Sequence, residues 1–250
     1  MTPAGPLSLE AGDAGGAPTT LIEAAYHELR RDIIAGVHAP GEKLRVEHLK
    51  DHYQVGAGTL REALARLVAD SLVVAQGQRG FRVAALSLSD FEDITRTRIL
   101  LETEALRQSI AHGDDAWEGQ VVAAYHTLSL AEEKLGRKVQ RAAADDWEDR
   151  NAAFHEALLA ACPSQWIRHF LRILNRQSER YRRVSLVLHT IPRDVHAEHA
   201  AILDATLARD AKKAAALITR HISLTLDTVR DLPPDVFQKP KLKIVRRRPA

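Results

Sequence analysis

Val55-Gly-Ala-Gly-Thr-Leu-Arg-Glu-Ala-Leu64, followed by Leu72-Val-Val-Ala75 and Phe81-Arg-Val83, is the stretch on which the fold turns. Leu60, Ala63, Leu64 and Leu67 share one helical face. Thr59 and Glu62 fit a capping box, so the spacing predicts a helix from Thr59 to about residue 70. The two short β-prone runs flank Gln76-Gly-Gln-Arg-Gly80, a five-residue connection with glycine near both ends, which reads as a hairpin. Upstream, 46–53 is a short helix, with Gly56 and Gly58 forming the turn after it. Before it, Thr20 and Glu23 open a helix whose apolar stripe is Leu21, Ile22, Ala25, Leu29, Ile33 and Ile34; Gly36 and then Pro40-Gly41 end it. The order helix, helix, turn, helix, hairpin is that of a winged helix-turn-helix.

The pattern changes after Ala85. Ser89 and Glu92 open a helix of about 23 residues ending near Gly113, and helical periodicity recurs over 115–135, 138–161, 163–188, 193–208 and 211–229. No strand pattern follows residue 84. The expected fold is mostly α: an N-terminal winged helix-turn-helix with a small β-hairpin, then a C-terminal antiparallel α-helical bundle. The expected organisation is a disordered segment over 1–19, a winged helix-turn-helix domain over 20–84, an all-helical domain over 85–230 and a basic disordered tail over 231–250. Pro233-Pro234 marks the end of the bundle, and Lys239, Lys241, Lys243 and Arg246–Arg248 supply the charge of the tail.

Composition narrows the function classes. Charged residues are 27% and hydrophobic ones 45% of 250, as in soluble globular proteins. No apolar run approaches the ~20 residues that span a bilayer, so no membrane partner is expected. Residues 1–20 lack the basic start and apolar stretch of a secretory signal, and the single Cys162 permits no intrachain disulfide. The expected location is cytoplasmic. The net charge is only +2, so any DNA-binding charge must be local.

Arg61, near the start of the helix at 59–70, is placed for a bidentate contact with a guanine edge. Gly56, Ala57 and Gly58 leave backbone uncovered just before Thr59, where free N–H groups and the helix dipole favour a phosphate. Arg79 at the hairpin tip can reach a groove or the backbone, and Arg45 and Lys50 can contact phosphates. Each could equally be a solvated surface group; the ordered helix-turn-helix-hairpin context decides for DNA in the case of Arg61.

The second constellation is made of imidazoles, of which the chain has twelve. His155 follows Asn151 by four residues, so both side chains share a helical face. His199 and His221 flank the turn at Arg209-Asp210 at nearly equal distances, each roughly 15–17 Å along its helix. In an antiparallel pair they stand level. Three neutral imidazoles with an oxygen ligand suit a divalent ion, zinc first and nickel as a second choice. A neutral Asn151 leaves such a site more cationic and more receptive to an anion. His196 lies one turn before His199 and is expected at the surface.

With its upstream Pro40-Gly41-Glu-Lys-Leu44 and its wing at 77–80, the Val55–Leu64 stretch resembles the DNA-binding domain of the GntR superfamily. That family's turn usually reads Val-Ser-Arg-Thr-Pro-Val-Arg-Glu-Ala-Leu; here Gly56, Ala57 and Gly58 stand in place of Ser, Arg and Thr. The resemblance therefore carries Arg61 over and implies altered operator contacts. The helical part is similar to the FCD ligand-sensing domain of the FadR-type subgroup, whose metal-binding members pair an Asp-x-x-x-His helix with two later histidines. Asn151, His155, His199 and His221 fall on those positions, with Asn for Asp. Arg98 falls on an arginine that contacts the effector carboxylate; read alone, it is half of a helix-surface pair with Glu102. The resemblance implies a homodimer on operator DNA, acting as a repressor whose affinity a small carboxylate controls. The rival readings are a metal-dependent hydrolase-like enzyme with an accessory DNA-binding domain, an architectural DNA-binding protein with structural histidines, and an acyl-CoA sensor of the same family. No His-Glu-x-x-His helix supports the first, and acyl-CoA sensors lack the histidine set.

Overall fold

A computed structural model describes residues 20–135, 141–188 and 193–238. The segments expected to be disordered at 1–19 and over 239–250 lie outside the described residues. Helix α1 spans Leu21–Ile34, with the Thr20 hydroxyl accepting from the Glu23 N–H. It buries Ala25, Leu29, Ile33 and Ile34, whereas Leu21, at the edge of the expected stripe, stays 71% exposed. Helix α2 is Val46–Tyr53, and Gln54, in the left-handed region at φ 51°, turns the chain into α3, Ala57–Ala69.

The start of α3 corrects the expectation. Gly56, not Thr59, is the N-cap, and it offers no side chain to bond. Gly58 and Thr59 are already helical, so Thr59 and Glu62 form no capping box and the turn is shorter than expected. The physical reason is that Gly56 is extended at ψ 151° and its carbonyl accepts from Leu60 N–H at 3.0 Å, which closes the first helical turn two residues early.

The hairpin forms β2 (Val73–Ala75) and β3 (Phe81–Val83), joined through a short 3-10 turn at Gly77–Arg79. Gly77 and Gly80 have φ of 53° and 85°, which glycine adopts without strain. A third strand escaped the sequence: β1, Lys43–Leu44, pairs with β3, giving the order β1-β3-β2. Lys43 stands opposite Arg82, and Val73 opposite Val83. Two residues are too few to show an alternation. Leu29, Leu44, Leu60, Leu64, Leu67, Leu72 and Val83 fill one core beneath this sheet.

Helices α4 (Leu88–His112), α5 (Asp115–Lys134), α6 (Arg141–Leu159), α7 (Gln165–Leu188), α8 (Val195–Leu207) and α9 (Ala211–Arg230) follow, with no strand among the described residues after Val83. Ser87, not Ser89, caps α4, accepting from Asp90 N–H at 3.4 Å. α4 packs along α9 and α7, and α5 along α6 and α8. The bundle core centres on Leu106, Trp117, Val121, Leu128, Phe154, Leu158, Ile202 and Ile218. Past Pro233-Pro234 the chain does not leave the fold: α10 (Asp235–Gln238) follows, and Leu232 and Val236 bury with Leu86, Phe91 and Tyr181. The basic tail expected from 231 therefore has an ordered first part, anchored by apolar contact.

α7 also holds the winged unit. From α7, Gln177 donates to the Asp70 carbonyl and Arg180 to the Ala84 carbonyl, while within the winged unit Tyr26 donates to the Asp70 carboxylate. Arg176 lies 3.6 Å from Asp70, and Arg30 lies 3.3 Å from Glu179. Tyr181, buried and stacked on Phe91, donates to Asp90 at 2.9 Å. Burial and the nearby Asp70 push the Tyr26 hydroxyl up to about 12, so it stays a donor across physiological pH.

Candidate metal and effector site, and the DNA-reading surface

His155 projects from α6, His199 from α8 and His221 from α9. One ring nitrogen from each lies within 4.8 Å of the other two, and all three rings are buried. The level placement expected for His199 and His221 is seen directly: their ring centroids are 4.7 Å apart. His155 stands 5.2 Å from His221 and 5.7 Å from His199. Phe154 packs edge-on against His155 and His199 and closes one side.

Carboxylates orient two of the rings. His199 Nδ1 donates to Glu132 on α5 at 2.7 Å, and His221 Nδ1 donates to Glu198 at 2.8 Å. A carboxylate can only accept, so the Nδ1 atoms carry the protons and the Nε2 lone pairs face inward. Burial holds the His155 and His221 rings well below their ordinary value of 6.5, helped by mutual repulsion with the neighbouring imidazoles and with Arg98. Burial lowers His199 too, against the opposing pull of Glu132. Glu132 itself is penalised by burial, yet its bonds to His199 and His196 hold it below the usual carboxylate range. The outcome is three neutral imidazoles, the form that ligates a metal.

Four buried atoms here have no hydrogen-bond partner: His199 Nε2, Asn151 Oδ1, Glu102 Oε2 and Arg193 Nε. A void of about 10 Å³, room for one water or ion, is lined by Asn151, His155, His221, Arg98 and Arg182 among others. Asn151 lines that void, and the ligand atoms of the three histidines cluster within 4.8 Å; unpartnered acceptors such as Asn151 Oδ1 and His199 Nε2 are what a divalent cation satisfies, so the residues present fit a metal. His196 is not part of this set; half exposed, it donates to the second oxygen of Glu132 at 2.8 Å.

Arg98 is buried beside the histidines, but it is not a surface group. Its Nε and Nη2 donate to one oxygen of Glu102 at 3.1 and 2.8 Å. Burial lowers its affinity for the proton, and Glu102 opposes that. Arg182 makes a similar buried pair with Glu148, at 3.1 and 2.9 Å. Arg98, Asn151, His155 and Arg182 also line a cavity of about 520 Å³ that runs along α7 and reaches Arg30 of α1. Sequence reasoning missed Glu132, Glu198 and this cavity. The signal for the cavity was present as Arg168, Arg172 and Arg176, spaced four apart on one face of α7.

Arg61 lies on the exposed face of α3, with Ala65 and Arg66. Gly56 and Gly58 are exposed at the helix start, and Thr59 is half-buried. Arg79 is exposed at the wing tip and Arg45 at the N-cap of α2, while Lys50 is tied to Glu47 at 2.8 Å. Arg82 is not available as a wing contact, because it donates to Gln76 and to the Gly41 carbonyl.

A winged helix-turn-helix with an arginine on its outward helix, joined to a helical bundle with an internal cavity, defines a DNA-binding transcriptional regulator. The chain matches the description "Bacterial regulatory proteins, gntR family" over residues 21–83 and "FCD domain" over residues 93–224. It is 48% identical to the HTH-type transcriptional regulator BphR of Paraburkholderia xenovorans (strain LB400), over 84% of this chain and 86% of that one. It is 36% identical to the HTH-type transcriptional repressor GlaR of Escherichia coli (strain K12), over 79% and 90% of the two chains. A solved GntR transcriptional regulator from Rhodococcus sp. RHA1 shares the fold, with a TM-score of 0.68 at 20% identity, covering 84% of this chain and 97% of that one. The protein belongs to the GntR family of transcriptional regulators, with an FCD domain at its C-terminal side. These relatives are regulators, not enzymes, and the hydrolase alternative is set aside.

Proposed function

We propose that this regulator is a repressor whose operator affinity is set by a small carboxylate bound at a metal site in the helical domain. The domains are 20–84 for DNA and 85–230 for the effector. The observation that carries this reading is the convergence of three neutral imidazoles, one of them with an orphaned Nε2 on His199, beside a void lined by His155 and His221 that shares Arg98, Asn151, His155 and Arg182 with an arginine-rich cavity. His155, His199 and His221, with Asn151, would hold the ion, zinc by the nitrogen-rich donor set, with nickel second. Bound there, the ion supplies a Lewis-acidic charge that attracts an anion.

Arg98 is the effector's second anchor. Arg98 lines both voids, and a carboxylate arriving there competes with Glu102 for its guanidinium. Arg98 sits on α4, which follows the short segment after Val83, and Arg182 sits on α7, which holds Asp70 and Ala84 of the winged unit. A carboxylate that draws Arg98 and Arg182 together shifts these helices and the reading heads they carry. Two copies of the chain place two α3 helices in successive major grooves, about 34–36 Å apart, on an inverted repeat. Arg61 reads a base; Gly58, Thr59, Arg45, Lys50 and Arg79 contact the backbone. Allostery of this kind requires the effector and the operator to prefer different states. Titrating an operator fragment with and without carboxylates tests it: operator affinity should fall when a carboxylate binds. Carboxylate binding that leaves operator affinity unchanged contradicts the coupling.

A further inference from the structure

One carboxylate at Arg98 does not account for the cavity beside it. The cavity wall carries six guanidinium groups, from Arg30, Arg98, Arg168, Arg172, Arg176 and Arg182, against two carboxylates, from Glu156 and Glu179. Its volume, about 520 Å³, is that of a site for a ligand of many atoms. Arg98 and Arg182 are the inner pair. Arg172 and Arg176 lie ten and six residues earlier on α7, roughly 15 and 9 Å along the helix axis. Arg172 is half-buried and has no acidic partner among the described residues. Arg176 has a loose ion pairing with Asp70, at 3.6 Å, and a long hydrogen bond to the Tyr26 hydroxyl, at 3.5 Å. Two polar atoms of the same wall, Arg30 Nε and Asn175 Oδ1, are buried with no partner. Like charges facing one cavity repel, and an anion between them removes that cost.

We propose that the outer half of the cavity, built from Arg172 and Arg176 of α7 and Arg30 of α1, is a second anion subsite. The effector is then an elongated molecule with an anionic group, carboxylate or phosphate-like, at each end. This rests on the carboxylate reading of the inner end. It also gives the far end a task. Arg30 and Arg176 join α7 to the winged unit through Glu179 and Asp70, so an anion there competes with both contacts.

The test is calorimetric titration of the zinc-loaded full chain with three series of matched length: monocarboxylates, α,ω-dicarboxylates and ω-phosphonocarboxylates. The expected result is that a second anionic group tightens binding at least tenfold at intermediate chain length. Whichever of the last two series is tighter identifies the outer group. In Arg172→Gln the gap between one-headed and two-headed acids should close, and in Arg172→Lys it should persist in part. Equal affinity for one-headed and two-headed acids, or an Arg172→Gln variant that keeps the full gap, overturns the outer subsite and leaves the inner one standing. Failure of every acid to bind overturns both.

Discussion

Glu102→Gln isolates the role of the buried arginine. In the native chain Arg98 and Glu102 are 6% and 1% exposed at the side chain, and Arg98 gives Glu102 Oε1 two hydrogen bonds. The amide keeps the shape and one acceptor but removes the charge. Removing one partner of a buried ion pair costs about 3–5 kcal/mol. Glutamine retains an acceptor, so we take about 2–3 kcal/mol here. For a chain of this size each kcal/mol lowers the melting temperature by about 2–4 °C, and the variant should melt about 4–12 °C lower. A carboxylate bound at Arg98 restores the missing negative charge. At an acetate concentration a hundred times the native Kd, the native protein gains ~2.7 kcal/mol, and Glu102→Gln, whose tighter Kd makes the same concentration a larger multiple, should gain more and show the larger rise in melting temperature. Differential scanning fluorimetry at matched metal content reads both effects. An unchanged melting temperature, or equal increments from acetate in the two proteins, refutes the assignment of Arg98 as an anion site held in reserve by Glu102.

Three further outcomes are expected. Arg61→Ala should weaken specific operator binding by about 1–3 kcal/mol, read by fluorescence anisotropy against scrambled DNA; an unaltered footprint removes Arg61 from the reading set. In metal-free protein, stability should be fully present above pH 6.5 and fall below it. The unfolded chain takes up protons on His155, His199 and His221 there, while burial holds the folded rings neutral. The slope is up to about 1.4 kcal/mol per pH unit per ring, and urea titrations showing flat stability from pH 7 to 5 would contradict it. Gly113→Ala places a Cβ 2.0 Å from Trp117 Cε3, and Trp117 is pinned by its bond to the Ala157 carbonyl at 2.8 Å. A loss of about 1–3 kcal/mol is expected by thermal melting; no change means that Trp117 yields freely.

The elements with long, one-sided periodicity were legible in the sequence. α1, α3 and α9 each repeat an apolar face, and the turn at Arg209-Asp210 sets the antiparallel pair α8–α9 in register, which makes the level placement of His199 and His221 legible from spacing alone. Short-range choices were not legible. Whether Gly56 or Thr59, Ser87 or Ser89, caps a helix depends on backbone angles that tertiary contacts fix. β1 exists because Lys43 and Leu44 meet β3 across 38 residues or so of chain, and α10 because Val236 finds Leu86 and Phe91. The partners of the site, Glu132 and Glu198, come from α5 and α8 and meet the imidazoles only in space.

The metal content of the purified full chain tests the central claim most directly. Native mass spectrometry after exposure to zinc and desalting should find one ion per chain, and none in a His155→Ala/His199→Ala variant of unchanged helicity. Full occupancy in that variant, or no retained ion in the native chain, would contradict the assembly of His155, His199 and His221 into one site.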